Sequence, residues 1–157
     1  MAVSLDSVDI QILQELQVDA DRSNVDLAKT IGLSPAATLN RVRRLKESGI
    51  IRSIAARLDS TIAGFPLQVY VEVALARHDD AAHRRFADAV RGMQEVISAD
   101  WVTGETDAML LVVAREVGEL QRVLVRLSTR GGASRVTTLL RLEELKPASP
   151  LPLGVRR

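Results

Sequence analysis

The chain has 157 residues, of which 46% are hydrophobic and 26% are charged, and this composition is typical of a globular protein. It contains no cysteine, which excludes disulfide bonds, thiolate metal sites and cysteine nucleophiles. Neither a signal-peptide core nor an apolar run of about 18 residues is found, so we expect a soluble, cytoplasmic protein without membrane association.

Acidic and basic residues are segregated in the first sixty positions, although the net charge of the chain is only +1. Residues 1–30 contain six acidic and two basic side chains, whereas residues 41–57 contain six basic side chains and one acidic side chain. This reversal indicates a surface that binds an anion. An ordinary solvated helix face accounts for the charge pattern equally well, so charge alone leaves both interpretations open.

Two short helices are predicted at the start of the chain. The first begins after Asp6, which can cap it, while Asp9 can reach back in a variant of the capping box. The second is capped by Ser23 or Asn24 and ends at Gly32, because glycine is favoured just beyond the last helical residue. Both helices carry apolar residues at helical spacing.

A third helix is predicted next, with Ser34 as its N-cap and Pro35 in its first turn, and it extends to Gly49. A short β-rich stretch, Ile50–Leu58, follows it and predicts a wing. Two helices joined by a glycine-containing turn, the second with small and cationic residues outward, are what the major groove of DNA accommodates. The candidate DNA contacts are Ser34, Ala36, Ala37, Asn40, Arg41, Arg44, Arg22 and Arg52.

The side chains of the third helix suit this role. Alanines near its N-terminus allow the backbone to approach DNA closely. Asn40 can pair with a base edge, and Arg41 and Arg44 can reach guanine or phosphate. A three-helix protein-interaction module with a basic rim is the alternative interpretation.

Strands and helices follow in the order β-α-β-β-α-β in the second half of the chain. The predicted elements are strand 67–75, helix 81–92, strand 96–103, strand 108–114, a helix from residue 117 that ends before Gly131, and strand 134–145. This order predicts a ferredoxin-like α+β fold in which both helices cover one face of a four-stranded sheet. The other face, with Tyr70, Leu111 and Leu139 or the residues that alternate with them, is expected to be apolar and to form a dimer.

Residues 5–146 resemble the Lrp/AsnC, or feast/famine, family of transcription regulators. In the first half the matching residues are Leu5-Asp6, Asp9, Ile12-Leu13, Leu16, Arg22, Leu27-Ala28, Gly32-Leu33-Ser34, Arg41-Val42-Arg43-Arg44-Leu45, Gly49-Ile50-Ile51 and Leu58-Asp59. In the second half Val102, Gly104, Asp107, Thr137-Thr138 and Glu144-Leu145-Lys146 are similar to the regulatory (RAM) domain of the family. Ile54 stands where the family often has an aromatic residue, and we expect this difference to affect packing only.

The resemblance implies a sequence-specific DNA-binding regulator. The sequence contains no Gly-rich phosphate loop, metal-ligand quartet or catalytic carboxylate pair, so we expect neither an enzyme nor a cofactor. Its implied partners are double-stranded DNA, a small effector such as an amino acid, and further copies of the chain, as a dimer that assembles to an octamer. The implied domains are a winged helix-turn-helix domain at 1–59 and a RAM domain at 67–146. Gly64 and Pro66 predict a linker at 60–66 between them, and residues 147–157, which are Pro-rich and match no part of the family pattern, are predicted to be a mobile tail.

The resemblance also places an effector at the turn Gly104–Asp107, between RAM domains. Gly104 allows a close approach, exposed backbone amides can take a carboxylate, and Asp107 can face an ammonium group. An ordinary hairpin turn explains the same residue types. Because Thr106 and Ala108 are small where relatives often have aromatic residues, we expect a pocket of different shape. The candidate effector contacts are Trp101, Val102, Thr103, Gly104, Glu105, Thr106, Asp107 and Thr137, with core packing as the alternative for Trp101.

Three alternative functions are metal binding, a siroheme decarboxylase activity and an architectural role on DNA. His78 and His83 could bind a metal with a nearby aspartate, but the ligand set is incomplete and two surface histidines are the simpler explanation. Siroheme decarboxylase subunits share the Lrp/AsnC fold, but that chemistry needs histidines that face a large cavity, and this chain has two, both in one loop. An effector-independent architectural protein on DNA is the third alternative.

Overall fold

The computed structural model describes residues 4–154, and the chain divides into two compact units. Among the described residues, one unit consists of residues 4–57 together with residues 146–154, and the other consists of residues 58–145. We call them the helical unit and the sheet unit. Each has its own cluster of buried apolar side chains, so each is described separately.

The described part of the helical unit contains three helices: α1 (Ser7–Val18), α2 (Asn24–Ile31) and α3 (Pro35–Glu47). Their starts are capped as the sequence predicts. Asp6 and Asp9 form a reciprocal capping box at α1, and the hydroxyl groups of Ser23 and Ser34 accept backbone hydrogen bonds at the starts of α2 and α3. Gly32 ends α2 with a φ angle of 70°, a conformation that favours glycine. The hydrophobic core cluster of this unit consists of Ile12, Leu13, Leu27 and Leu45.

The segment after α3 contains no strand. The sequence predicts a β-rich wing over Ile50–Leu58, but the chain there is irregular and largely exposed. The four-stranded sheet of the described residues does not include it, so it has no neighbouring strand with which to exchange hydrogen bonds. The prediction of a wing is therefore wrong for the single chain.

The sheet unit contains six elements in the predicted order: β1 (Leu67–Leu75), α4 (Asp80–Arg91), β2 (Val96–Trp101), β3 (Ala108–Ala114), α5 (Val117–Thr129) and β4 (Ala133–Leu140). The strands pair in the order β2-β3-β1-β4, and every pair is antiparallel. Phe86 of α4 and Val123 of α5 both belong to the core cluster that includes Val71 and Leu110. Both helices therefore cover the same face of the sheet, which confirms the predicted α+β fold.

Two strands are shorter than predicted because their partner strands end. β4 stops at Leu140, opposite Val69, and one further hydrogen bond runs from the amide of Arg141 to the carbonyl of Gln68. Since β1 starts at Leu67, which is opposite residue 142 in this register, residues 143–145 lie beyond its start, and the predicted strand over 134–145 is too long. β2 likewise ends at Trp101, where its pairing with β3 ends.

The segment predicted as a linker is folded onto the sheet unit. The amide of Ala63 donates to the carbonyl of Asp59 at 2.9 Å, and the amide of Phe65 donates to that of Ser60 at 2.7 Å, so residues 59–65 form a closed turn. The guanidinium group of Arg115 stacks on the Phe65 ring, 4.7 Å from its centroid.

The C-terminal segment, predicted to be a mobile tail, packs on α1. Leu153 contacts the core cluster of the helical unit. The side chain of Gln17 accepts from the amide of Leu151 at 2.6 Å and donates to its carbonyl at 3.4 Å, and Gln14 donates to the carbonyl of Leu153 at 2.6 Å. Two glutamines one turn apart thus satisfy the backbone of an irregular segment, and the prediction is wrong for residues 151–153. Positions 155–157 of the predicted tail lie outside the described residues.

Candidate nucleic-acid interface and effector site

The solvent-facing side of α3 carries the small and polar residues predicted to meet DNA. Ala36 and Asn40 are exposed, and Ala37 is half-buried. Ser34 is committed to capping, because its hydroxyl accepts from the amide of Ala37 at 3.2 Å. Asn40 makes no side-chain hydrogen bond to any residue that the structure describes, so its amide is available to a ligand.

Arg41 and Arg44 bind the acidic first turn of α1. Arg41 Nη1 donates to Asp6 Oδ2 at 2.7 Å and to Asp9 Oδ1 at 2.9 Å, and Arg44 Nη2 donates to Asp9 Oδ2. The carboxylate of Asp9 is 1% exposed, whereas the side chain of Arg44 is 58% exposed. Both arginines therefore join α3 to α1, a role that the sequence analysis did not assign. The opposite charges of the two segments are the signal that could have predicted it.

The contact between Asp6 and Arg41 favours the charged forms of these two groups. The hydrogen bond from Arg41 lowers the pKa of Asp6 below its ordinary value, and the amide of Asp9 lowers it further. The two aspartates raise the pKa of Arg41.

The other two predicted DNA contacts differ from each other. Arg22 is engaged between α1 and α2, where it pairs with Glu15 and donates to Thr30 Oγ1 at 3.2 Å. Arg52 is exposed in the irregular segment after α3 and forms no ion pair with the described residues. The structure thus gives Arg22 a structural role and leaves Arg52 open to solvent.

The turn between β2 and β3 is exposed, and several of its backbone amides have no hydrogen-bond acceptor among the described residues. Gly104 has a φ angle of 126°, in the region that side chains disfavour. The amide of Val102 donates to the carbonyl of Asp107 at 3.0 Å and closes the turn. Within the described part of the chain, the amides of residues 103–106 donate no hydrogen bond, so this loop of Thr103, Gly104, Glu105 and Thr106 can receive an anionic group.

Asp107 fixes the turn to β1. Its Oδ2 accepts from the amide of Leu75 at 2.7 Å, and its own amide donates to the carbonyl of Val73 at 2.9 Å. Its Oδ1 lies 3.3 Å from Nδ1 of His78. One carboxylate oxygen is therefore used by the fold, and a ligand ammonium group would have to compete with His78 for the other.

Trp101 and Thr137 lie on opposite faces of the sheet. Trp101 pairs with Ala108, a core residue, and its ring contacts that of His83 on α4 in a tilted arrangement, with centroids 5.0 Å apart. Thr137 pairs with Glu72 on the face without helices. The predicted effector contacts are therefore not all brought to one site, and packing on α4 accounts for Trp101.

Arg135 is a contact of the turn that the sequence analysis missed. Its Nη2 donates to the carbonyl of Glu105 at 3.4 Å. Arg135, Thr137 and Leu139 alternate along β4 and so point to the same face, the face without helices. The sequence does contain a signal for this contact. Arg135 lies two positions before Thr137, a predicted effector contact, and residues two apart on a strand point to the same face.

Comparison with known proteins identifies both units. An AsnC-type helix-turn-helix domain matches residues 5–46, and the Lrp/AsnC ligand binding domain matches residues 68–151. The chain belongs to the Lrp/AsnC family. It is 34% identical over 151 residues to the leucine-responsive regulatory protein of Haemophilus influenzae, covering 96% of this chain and 91% of that protein. It is 35% identical to the protein of the same name from Rhizobium meliloti, and the alignment covers 93% of this chain and 94% of that protein.

Solved Lrp/AsnC structures share the fold. A transcriptional regulator from Neisseria meningitidis in complex with L-Met has a TM-score of 0.88 at 34% identity, covering 96% of this chain and 98% of that chain. An AsnC family regulator from Agrobacterium tumefaciens has a TM-score of 0.86 at 29% identity, covering 95% and 97%. The resemblance is confirmed, and the protein is a transcription regulator that joins a DNA-binding helix-turn-helix to a ligand-binding domain.

The matched Lrp/AsnC regions include part of the C-terminal segment. The ligand binding domain match reaches residue 151, beyond the resemblance to residue 146 that we draw from the sequence. Among residues 4–154, no cluster of three or more His, Cys, Asp or Glu side chains is arranged to hold a metal ion. No helix in the same range is long and apolar enough to cross a membrane.

Proposed function

We propose that this Lrp/AsnC regulator reads DNA sequence with the exposed side of α3 and acts by binding rather than by catalysis. The observation that carries the proposal is that the side-chain amide of Asn40 on α3 is exposed and has no hydrogen-bond partner among the described residues. A side-chain amide can bond an adenine through two atoms at once. Ala36 and Ala37, one turn earlier, leave room for the helix to enter the major groove.

The test compares Asn40→Ala with Gln11→Ala on duplexes selected from a random-sequence pool by the unaltered protein. Gln11 is an exposed amide on α1, so it is a matched control within the same unit. We expect Asn40→Ala to weaken binding by about 1–3 kcal/mol and to relax the preference at one base position. The control should stay within about 0.5 kcal/mol. Unchanged affinity and preference in Asn40→Ala would exclude this side of α3 as the reading surface.

The effector is proposed to be an amino acid that binds at the turn between β2 and β3. The open amides of residues 103–106 and the guanidinium group of Arg135 can both take a carboxylate. The Neisseria relative holds L-Met, which supports this ligand class. Gly104 contributes a backbone shape rather than a side chain, and Asp107 positions the turn on β1.

Calorimetric titration with L-methionine and L-leucine tests the effector site. Arg135→Ala should weaken binding at least tenfold, because a charged hydrogen bond to the carboxylate is lost. Arg130→Ala removes an exposed arginine after α5 and serves as the control. Equal affinity in the two variants would show that Arg135 does not bind the carboxylate.

We also propose that the sheet face without helices forms a dimer, on which an octamer would be built. Tyr70 and Leu139 are directly paired on this face and are 40% and 45% exposed, and Leu111 lies beside them. Such an apolar face is unfavourable in water. Light scattering should show Leu139→Asp as a monomer, whereas Gln121→Asp on α5 should leave the assembly unchanged.

A further inference from the structure

The acidic first turn of α1 lies against the arginines of α3. One carboxylate, that of Asp9, accepts from both: Oδ1 from Arg41 and Oδ2 from Arg44. The amide of Asp6 also donates to Asp9 Oδ2, at 3.2 Å, so the carboxylate is fixed at its own helix as well. Arg41 and Arg44 are three residues apart and thus share one side of α3.

Both arginines keep hydrogen-bond donors that these contacts do not occupy. Arg41 donates only through Nη1 and Arg44 only through Nη2. A guanidinium group has five N–H donors in a fixed plane, so the remaining donors of each group can still bind phosphate or guanine. Arg44 in particular is 58% exposed.

We propose that Asp9 is a positioning residue for DNA recognition, which holds the guanidinium groups of Arg41 and Arg44 in the orientation in which they meet DNA. The proposal rests on the DNA-reading role of α3 proposed above. A free arginine side chain loses much rotamer freedom when it binds, and one that is already held loses less. Asp9 therefore favours binding to the DNA sequence whose bases and phosphates match the orientation in which it holds the two guanidinium groups.

The charge of Asp9 has the opposite effect on binding without sequence preference. Asp6, Asp9, Arg41 and Arg44 together carry no net charge, so Asp9 reduces the attraction of this surface for phosphates. Binding to arbitrary DNA depends mainly on net charge and not on orientation. Loss of the Asp9 charge should thus weaken specific binding while nonspecific binding stays equal or rises. A carboxylate that only supported the fold would change both in the same proportion.

The test uses Asp9→Asn in the full-length chain, because asparagine keeps the shape and can still accept from the amide of Asp6. Asp21→Asn is the control. Asp21 is exposed after α1 and forms no ion pair with the described residues, so this substitution removes one negative charge without breaking an ion pair. The probes are a duplex selected from a random-sequence pool by the unaltered protein, and the same duplex with its sequence shuffled. Thermal unfolding confirms that each variant is folded at the assay temperature.

We expect the ratio of specific to nonspecific affinity to fall about tenfold in Asp9→Asn and to stay within about twofold in Asp21→Asn. In a background of Arg41→Ala with Arg44→Ala, Asp9→Asn should cause no further fall in the ratio. Asp6→Asn releases only Arg41 from an exposed carboxylate, and we expect a smaller fall in the same direction.

Two results would overturn the proposal: an unchanged ratio in Asp9→Asn, or an equal fall in the background without the two arginines. Should Asp9→Asn fail to fold, Asp9→Glu takes its place: it keeps the charge but displaces the carboxylate from both guanidinium groups, so an unchanged ratio in that variant would overturn the proposal as well. If the double arginine variant itself binds the selected duplex normally, the proposed role of α3 arginines fails. If that variant is weakened but the aspartate variants are not, only the inference about Asp9 fails.

Discussion

The helical unit and the sheet unit are stabilised in different ways. In the sheet unit, eleven buried apolar residues from β1, β3 and the helix side form one cluster. The helical unit has a cluster of four such residues, and next to it a buried aspartate bonded to two arginines. Because the carboxylate of Asp9 is buried, its ion pairs add little net stability but are costly to break, since loss of the arginines leaves an uncompensated charge. The helical unit therefore depends more on individual polar contacts.

The largest expected effect of a single substitution lies in the sheet unit. Leu110 is fully buried on β3, between Val71 of β1 and Ala99 of β2. Leu110→Ala should lower the free energy of unfolding by about 3 kcal/mol, because it removes apolar contacts and leaves a cavity that a close-packed core cannot refill. Urea unfolding measures the change. A loss below about 1 kcal/mol would show that this core is not the main source of stability.

The same contrast explains what the sequence could predict. In the sheet unit, β1 and β3 begin and end at the predicted residues, because apolar residues recur with strand periodicity where a strand is buried. The end of β4 was not predictable in this way, since it depends on where β1 begins rather than on the residues of β4 themselves. The wing over residues 50–58 failed for a related reason: β-rich composition does not supply a partner strand.

In the helical unit the caps were predictable and the roles of the charges were not. Asp6, Ser23 and Ser34 cap helices through bonds of short range, which a sequence reveals. The contact of Asp9 with Arg41 spans 32 positions, so the arginines could be assigned to DNA but not to α1 as well. The bond of Asp107 to the amide of Leu75 spans the same distance and was missed for the same reason.

A smaller effect is expected where the C-terminal segment packs on α1. Leu153 contacts the helical core through its side chain, whereas Leu151 is 70% exposed and is held only by its backbone. Leu153→Ala should therefore lower the stability of the helical unit by about 1 kcal/mol, and Leu151→Ala should change it by less than about 0.5 kcal/mol. Hydrogen exchange of the α1 amides reports on this unit alone. Equal exchange rates in the two variants would mean that the segment adds no apolar stabilisation.

The smallest effect concerns Asp6 and appears as a dependence of stability on pH. The hydrogen bond from Arg41 lowers the pKa of Asp6 in the folded chain below its ordinary value of 3.8. A carboxyl group with a lowered folded pKa contributes stability that is fully present above the unfolded pKa and is lost as the pH falls through the folded value. The contribution of Asp6 should therefore be complete at neutral pH and disappear in acid.

Thermal unfolding of the unaltered chain and of Asp6→Asn, measured from about pH 6 to about pH 2, tests this dependence. Asp6→Asn lacks the contribution at every pH, so its melting temperature should lie slightly below that of the unaltered chain near neutrality. The two melting temperatures should converge below the pKa of Asp6, where the unaltered chain is protonated as well. Asp79→Asn is the counterpart in the sheet unit, where the amide of Ala82 and the guanidinium group of Arg77 lower the pKa of Asp79, so its melting temperature should converge with that of the unaltered chain in the same way. A difference between Asp6→Asn and the unaltered chain that stays constant over this range would mean that the Arg41 contact does not depend on the charge of Asp6.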